Sequence, residues 1–231
     1  NDEKARIRRE FAEGKIDRNT LLKGESDYYH STGTCTFYGT ANSNQMLMEI
    51  MGMQLPGSSF VNPDTAHRNL LNEKAVEFAA ENAKLGLERS ISRIINEKSI
   101  VNAIIGLLAT GGSTNHTIHL IAIAKAAGII IDWEDMSELS SFIPLITRMY
   151  PNGSADVNHF HAAGGMCYVI KTLLDQGLLH EDVMTIMGQG LRKFTKESKI
   201  REGKINFDIS NLPASSFEAK VNIASINTSN K

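Results

Sequence analysis

Between residues 99 and 128 two strongly apolar runs, SIVNAIIGLL and HTIHLIAIAKAA, are separated by the dipeptide Gly111-Gly112. Runs of this length read as helices, and their nearly all-round apolarity places both in the interior of a domain. The glycine pair ends the first helix, and Ser113 or Thr114 begins the second, which continues to Gly128. A chain of 231 residues, 42% of them hydrophobic, can build a sizeable core around such a pair.

The rest of the pattern is also mainly helical. Residues 2–13 form a charged helix capped by Asn1 or Asp2 and stopped at Gly14. Arg6, Arg8 and Arg9 on it suggest a phosphate clamp, but Glu3, Glu10 and Glu13 beside them favour a solvated face. A helix starting at Asn42 or Ser43 runs to Gly52, followed by a loop through Pro56-Gly57. Asp64 or Thr65 starts a longer helical region over 66–95, with Leu70, Leu71, Ala75, Phe78 and Ala79 as its apolar stripe. Ile129–Ile131 reads as a short buried strand, with Asp132 capping the next helix. PNGSAD (151–156) is a turn, and 161–176 and 180–187 read as helices stopped by Gly177 and Gly188. Residues 196–231 turn polar, rich in Lys, Asn and Ser.

Formal net charge is -2, so no general basic field draws the chain to nucleic acid or an anionic membrane. Apolar stretches break well before the roughly 18 residues that a membrane span needs. Two cysteines, Cys35 and Cys167, are too few for a disulfide scaffold, and a reducing cytoplasmic setting is expected. The first residue is Asn1 rather than Met, which fits an internal stretch of a longer protein.

Cys35 sits in the small-residue loop GTCTFYGTAN, a polar setting that suits either a thiolate ligand or an unreactive filler. Cys167, inside an apolar helix pattern, reads as a buried structural thiol. In TGGSTNHT (110–117) two glycines precede a helix start with Ser113, Thr114 and Asn115 at its mouth. Unpaired N–H groups there suit an anion, while Ser113 as a plain cap explains the same pattern. The pairs His116/His119 and His159/His161 match no zinc spacing and read as core or polar-network histidines.

Longer motifs carry further information. YYHSTGTCTFYGTANSNQMLMEIMGMQLPGSSFVNP (28–63) resembles the signature of the family that contains dihydroxy-acid and 6-phosphogluconate dehydratases. LLATGGSTNHTIHLIAIAKAAGI (107–129) and YPNGSADVNHFHAAGG (150–165) resemble it in the same order. GTCTFYGTANSN, GSSFVNP and YPNG are similar to the sugar-acid branch, although His161 stands where a glutamine is expected. The resemblance implies an α/β protein of which this stretch, mostly α-helical with a few short strands, is part of the large N-terminal domain. Residues 1–195 would belong to the cluster-binding domain, and 196–231 would lead towards a C-terminal part.

The implied activity is a hydro-lyase that dehydrates 6-phospho-D-gluconate to 2-dehydro-3-deoxy-6-phosphogluconate in the Entner–Doudoroff pathway. A truncated remnant without catalysis, or a dehydratase of another sugar acid or dihydroxy acid, is the alternative. Implied cofactors are an iron–sulfur cluster, 4Fe–4S rather than 2Fe–2S, and Mg2+ or Mn2+. The implied partners are a small sugar-acid phosphate and, at full length, a second copy in a homodimer. Cys35 matches the third cluster cysteine of the family. Ser113, Thr114 and Asn115 are the candidate substrate-binding residues. The other two cysteines, the metal-binding carboxylates and the serine base belong to segments outside this stretch, and no catalytic residue is expected within it.

Overall fold

The computed structural model describes residues 2–27 and 35–207. Most of them are helical, and strands are few and short. α1 (Asp2–Ala12) and α2 (Arg18–Ser26) pack on each other, and Asp17 caps α2 by accepting the Thr20 N–H. Gly24 leaves room for Ile7 at their contact. α2 has no counterpart in the sequence reading. On α1 the arginines face acidic partners: Arg6 bonds Glu3 and Glu10, and Arg8 bonds Glu25 at 2.6 Å, as a solvated charged face requires.

α3 (Thr40–Ile50) begins after Gly39, earlier than the expected Asn42 or Ser43. α4 (Ala66–Lys84) starts from a Thr65 cap as its sequence suggests. The expected helix over 66–95 is nevertheless broken. Gly86 takes a positive φ of 61°, a 3-10 turn occupies Gly86–Arg89, and Ser90 opens the short α5 (Ile91–Ile94). Of the expected α4 stripe only Leu71 is fully buried.

The centre of the fold is α6 (Glu97–Thr110), which carries a capping box at Asn96 and ends on Gly111 in the left-handed conformation. It crosses α3 closely. A Cβ on Gly106 would lie 2.8 Å from Ile50 Cδ1 and 3.0 Å from Met46 Sδ, so the glycine sets the separation of the two helices. Met46, Leu47, Ile50, Ile100 and Ile104 are buried in this crossing's core.

α7 (His116–Ala126) differs from the interior helix that its apolarity suggests. Only His116, Leu120 and Ala124, one stripe at a four-residue spacing, are buried, and Ile118 is 64% exposed. Ile121 and Ile123 are only partly covered by the core. Ile129–Ile131 forms no strand, and Ile130 is 93% exposed. α8 (Trp133–Phe142) does start from a capping box at Asp132.

PNGSAD follows a cis Tyr150-Pro151 bond and leads into α9 (Val157–Ala162). Gly164, at φ 110°, separates α9 from α10 (Gly165–Asp175), so the expected helix 161–176 is two helices. Residues 180–187 are not a helix. β1 (Met184–Thr185) and β2 (Gly188–Gln189) form a hairpin instead, closed by Thr185, whose hydroxyl donates to Gly188 O and accepts the Met187 N–H. A second hairpin, β3 (Lys199–Arg201) with β4 (Lys204–Asn206), lies in the polar C-terminal segment. It packs back on α4 through Ile205, Phe207, Leu71 and Phe78. Of the 196–231 segment, positions 208–231 lie outside the described residues, as do 28–34 of the first motif.

Candidate functional site

The described parts of the three long motifs meet at one place. Five residues, Cys35 to Gly39, lead into α3, and four of their five carbonyls together with the Tyr38 N–H are hydrogen-bonded. Asn42 Nδ2 donates to the carbonyls of Cys35, at 3.0 Å, and of Phe37. Thr36 O accepts the Val157 N–H, and the Tyr38 N–H donates to Tyr150 O at 3.0 Å. Gly39 O receives both the amide and the hydroxyl of Ser43. The Phe37 ring lies against Tyr150, with centroids 5.0 Å apart. The loop is therefore held while the Cys35 thiol at its edge stays exposed, with a long 3.8 Å contact to Phe37 O.

The glycine turn docks on the same helix start. The buried Tyr38 hydroxyl donates to Thr110 Oγ1 at 2.8 Å, and burial pushes the phenol's pKa up, so it stays protonated. Thr40 Oγ1 is 2.9 Å from Ser113 Oγ and accepts from Asn115 Nδ2 at 2.8 Å. Ser113 N–H donates to Ser43 Oγ, and His116 Nε2 lies 3.1 Å from Thr40 O. The third motif reaches in through Asn152, whose amide donates to Gly111 O at 3.0 Å. Both glycines are needed for these approaches. A Cβ on Gly111 would stand 2.6 Å from Asn152 Nδ2, and one on Gly112 the same distance from Leu107 Cδ1.

This geometry alters what the turn offers a ligand. The N–H groups of Ser113, Asn115, His116 and Thr117 already donate within the protein, to Ser43, Ser113 and Thr114. What faces outward is side-chain chemistry: the half-buried Ser113 hydroxyl and the exposed Thr114 and Asn115. The sequence reading missed Tyr38, Thr40, Asn42, Ser43 and Asn152. Asn42 and Ser43 were visible only as helix-start residues, although their side chains reach to loop partners instead.

The histidines do not assemble into a metal centre. His116 and His119 stack edge-on at 5.4 Å, but His116 is turned to Thr40 O, and burial lowers its pKa. His159 bonds Asp156 at 2.8 Å in a helix cap, while His161 points to a different, half-buried cleft with His67 and Glu197. Cys167 is buried, and desolvation raises its pKa well above an ordinary thiol's, as an inert structural cysteine requires. Among the described residues no group of three or more His, Cys, Asp or Glu could hold a metal ion. The donor set therefore fits one ligand position of a thiolate-held cluster, at Cys35, and not a complete site.

The family model for the dihydroxy-acid/6-phosphogluconate dehydratase N-terminal region matches residues 1–194. The chain is 59% identical over 203 residues, 87% of its length, to a phosphogluconate dehydratase of Rhizobium meliloti (strain 1021), and covers 34% of that protein. It is 54% identical over 208 residues, 90% of its length, to one of Escherichia coli (strain K12), again covering 34%. A dihydroxy-acid dehydratase of Nostoc sp. is more distant, at 37% identity over 78% of the chain and 32% of the relative. The chain thus spans about a third of the length of the curated relatives it matches. With its family-model match running from the first residue to beyond α10, the chain belongs to the dihydroxy-acid/6-phosphogluconate dehydratase family, in that family's N-terminal region.

Proposed function

We propose that this chain is the stretch of a phosphogluconate dehydratase that supplies one cysteine of an iron–sulfur cluster and one wall of the substrate pocket. The observation that carries this is the convergence of Cys35, the Ser113–Asn115 turn and the Tyr150–Val157 loop on the start of α3. The full-length protein would be a hydro-lyase converting 6-phospho-D-gluconate to 2-dehydro-3-deoxy-6-phosphogluconate. The naming of relatives at 54–59% identity supports that substrate over a dihydroxy acid, whose dehydratase relative stands at 37%.

A 4Fe–4S cluster, when bound, supplies a Lewis-acidic iron for the departing hydroxyl, and Mg2+ or Mn2+ counters charge at the carboxylate end. This chain's own residues bind and orient. Cys35 presents its thiol at the surface of a held loop, where a metal can displace the proton. Ser113 offers a hydroxyl, with Thr114 and Asn115 beside it, to the oxygen-rich, anionic sugar acid. The base that removes the proton next to the carboxylate comes from elsewhere in the full-length protein. Residues 1–195 then act as part of a cluster-binding domain in a cytoplasmic homodimer. No helix of the described residues is long and apolar enough to cross a membrane.

The single usable thiol also favours a second reading, in which the chain alone is a remnant that folds without catalysis. Reconstitution with iron and sulfide separates the two. The isolated chain should hold no stoichiometric cluster. A full-length dehydratase containing this stretch should hold one and should lose it, with its activity, in Cys35→Ser. Retention of cluster and turnover by that variant would reduce Cys35 to a loop filler.

A further inference from the structure

We infer that Asn42 is the positioning residue that fixes Cys35 for cluster ligation; this rests on reading Cys35 as a ligand. The carboxamide nitrogen of Asn42 faces two carbonyl oxygens, those of Cys35 and Phe37. Because both partners are acceptors, the amide orientation is settled: nitrogen faces the loop, with one hydrogen for each carbonyl. Both carbonyls follow the thiol-bearing side chain in sequence, so the clamp holds the loop from the ligand's own residue to two residues beyond.

The neighbouring contacts show why this clamp matters more than its partners. Thr36 O and Tyr38 N are tied to the Tyr150–Val157 loop, and Gly39 O is tied to Ser43. Those bonds hold the loop's far side, towards α3. Among the described contacts, Asn42 makes the one side-chain hydrogen bond to Cys35 itself. Asn42 sits in the first turn of α3, whose body is locked against α6 at Gly106. The amide therefore connects an exposed thiol to a helix packed closely into the core. Groups behind a metal ligand orient it, and their loss weakens metal binding by about 10–100-fold.

The test uses a full-length dehydratase containing this stretch, with Asn42→Asp, Asn42→Ala and Cys35→Ser variants. Aspartate keeps the shape of asparagine but brings lone pairs against two carbonyls, so a space-filling residue tolerates it and a donor clamp does not. Both Asn42 variants should release iron to a chelator about tenfold faster or more. In the metal-free protein, amide exchange at residues 36–38 should accelerate by a similar factor, with exchange in α6 unchanged. If Cys35→Ser strips the iron while both Asn42 variants release it at the parent rate, the clamp is refuted and the ligand reading survives. If Cys35→Ser keeps its iron, the ligand reading fails and takes the clamp with it.

Discussion

Thr40 and Ser113, 73 positions apart in the chain, share a hydrogen bond of 2.9 Å between their hydroxyl oxygens. Asn115 Nδ2 donates to Thr40 Oγ1, and the Asn115 amide N–H reaches Ser113 Oγ at 3.3 Å. The arrangement that uses each group once passes the Thr40 proton to Ser113 and leaves the Ser113 proton free to point outwards. Asn115 and Thr40 thus order the hydroxyl that the turn presents.

Ser113→Ala in a full-length dehydratase should therefore act on ligand binding more than on folding. Loss of one hydrogen bond to a charged group is about 1.5–3 kcal/mol, a fall in kcat/KM of tenfold or more. Stability should drop by no more than about 1 kcal/mol, the scale of a lost neutral hydrogen bond. Steady-state kinetics and a denaturant titration on the same variant decide the matter. Normal kinetics with a shifted midpoint would assign Ser113 to the protein's interior network alone.

Tyr38 and Thr110 form a buried pair suited to a double-mutant cycle. Tyr38→Phe removes a donor, and Thr110 keeps its own bond to Gly106 O at 2.7 Å, so the cost should be about 1 kcal/mol. Thr110→Val leaves the buried phenol without an acceptor and should cost about 1–3 kcal/mol. The double variant should cost less than the sum of the two, because the second change removes a group already orphaned by the first. Strict additivity in urea titrations would mean that the two hydroxyls do not interact.

Glu49 is wholly buried on α3, and its carboxylate accepts from Gly57 N–H at 2.6 Å and from both the N–H and hydroxyl of Ser59. Desolvation raises its pKa above the ordinary 4.5, and the hydrogen bonds from Ser59 and Gly57 offset only part of that. A carboxyl with a raised folded-state pKa binds its proton more tightly when folded. Its stabilising share is complete below the ordinary carboxylate range and is lost as pH rises through the folded-state value. Glu49→Gln places an NH2 against a backbone donor and should destabilise, but it does not titrate. Its cost relative to the parent should shrink between pH 4.5 and pH 8, as read from urea midpoints across that range. A cost that grows with pH would reverse the assigned direction.

Gly106→Val should destabilise by about 1–3 kcal/mol, the range for overpacking a tight core. The added methyls meet Ile50 and Met46, both of which are fully buried. Pairing it with Ile50→Ala should recover part of the loss, because the cavity accepts the new side chain. A neutral Gly106→Val would mean that the two helices can separate at little cost.

Much of this was legible in the chain, for identifiable reasons. Caps have local signatures, so Thr65, Gly111 and Asp132 sit where their sequence context put them. Apolarity was less informative about burial. α7 carries isoleucine and alanine on every side, yet the fold covers one stripe and leaves Ile118 outside, because composition records what can be buried and not what arrives to bury it. The run HEDVMTIM has no periodicity that separates helix from strand, and it forms a hairpin through backbone pairing with 188–189, a backbone bond to Gly52 and the Thr185 hydroxyl. At the candidate site the outward residues were visible as motifs. The supporting ones were not, since Asn42, Thr40 and Asn152 act on partners that only the fold brings near.

The bare α-carbon of Gly106 lies one turn of α6 before Thr110, about 6 Å along the helix axis. From there the spacing of α3 and α6 is handed on to Tyr38 and Thr110, and then to Thr40 and Ser113. The hydrogen atom that a glycine carries in place of a side chain therefore acts as a gauge. It sets how wide the thiol-bearing loop and the serine turn stand apart, although it touches neither.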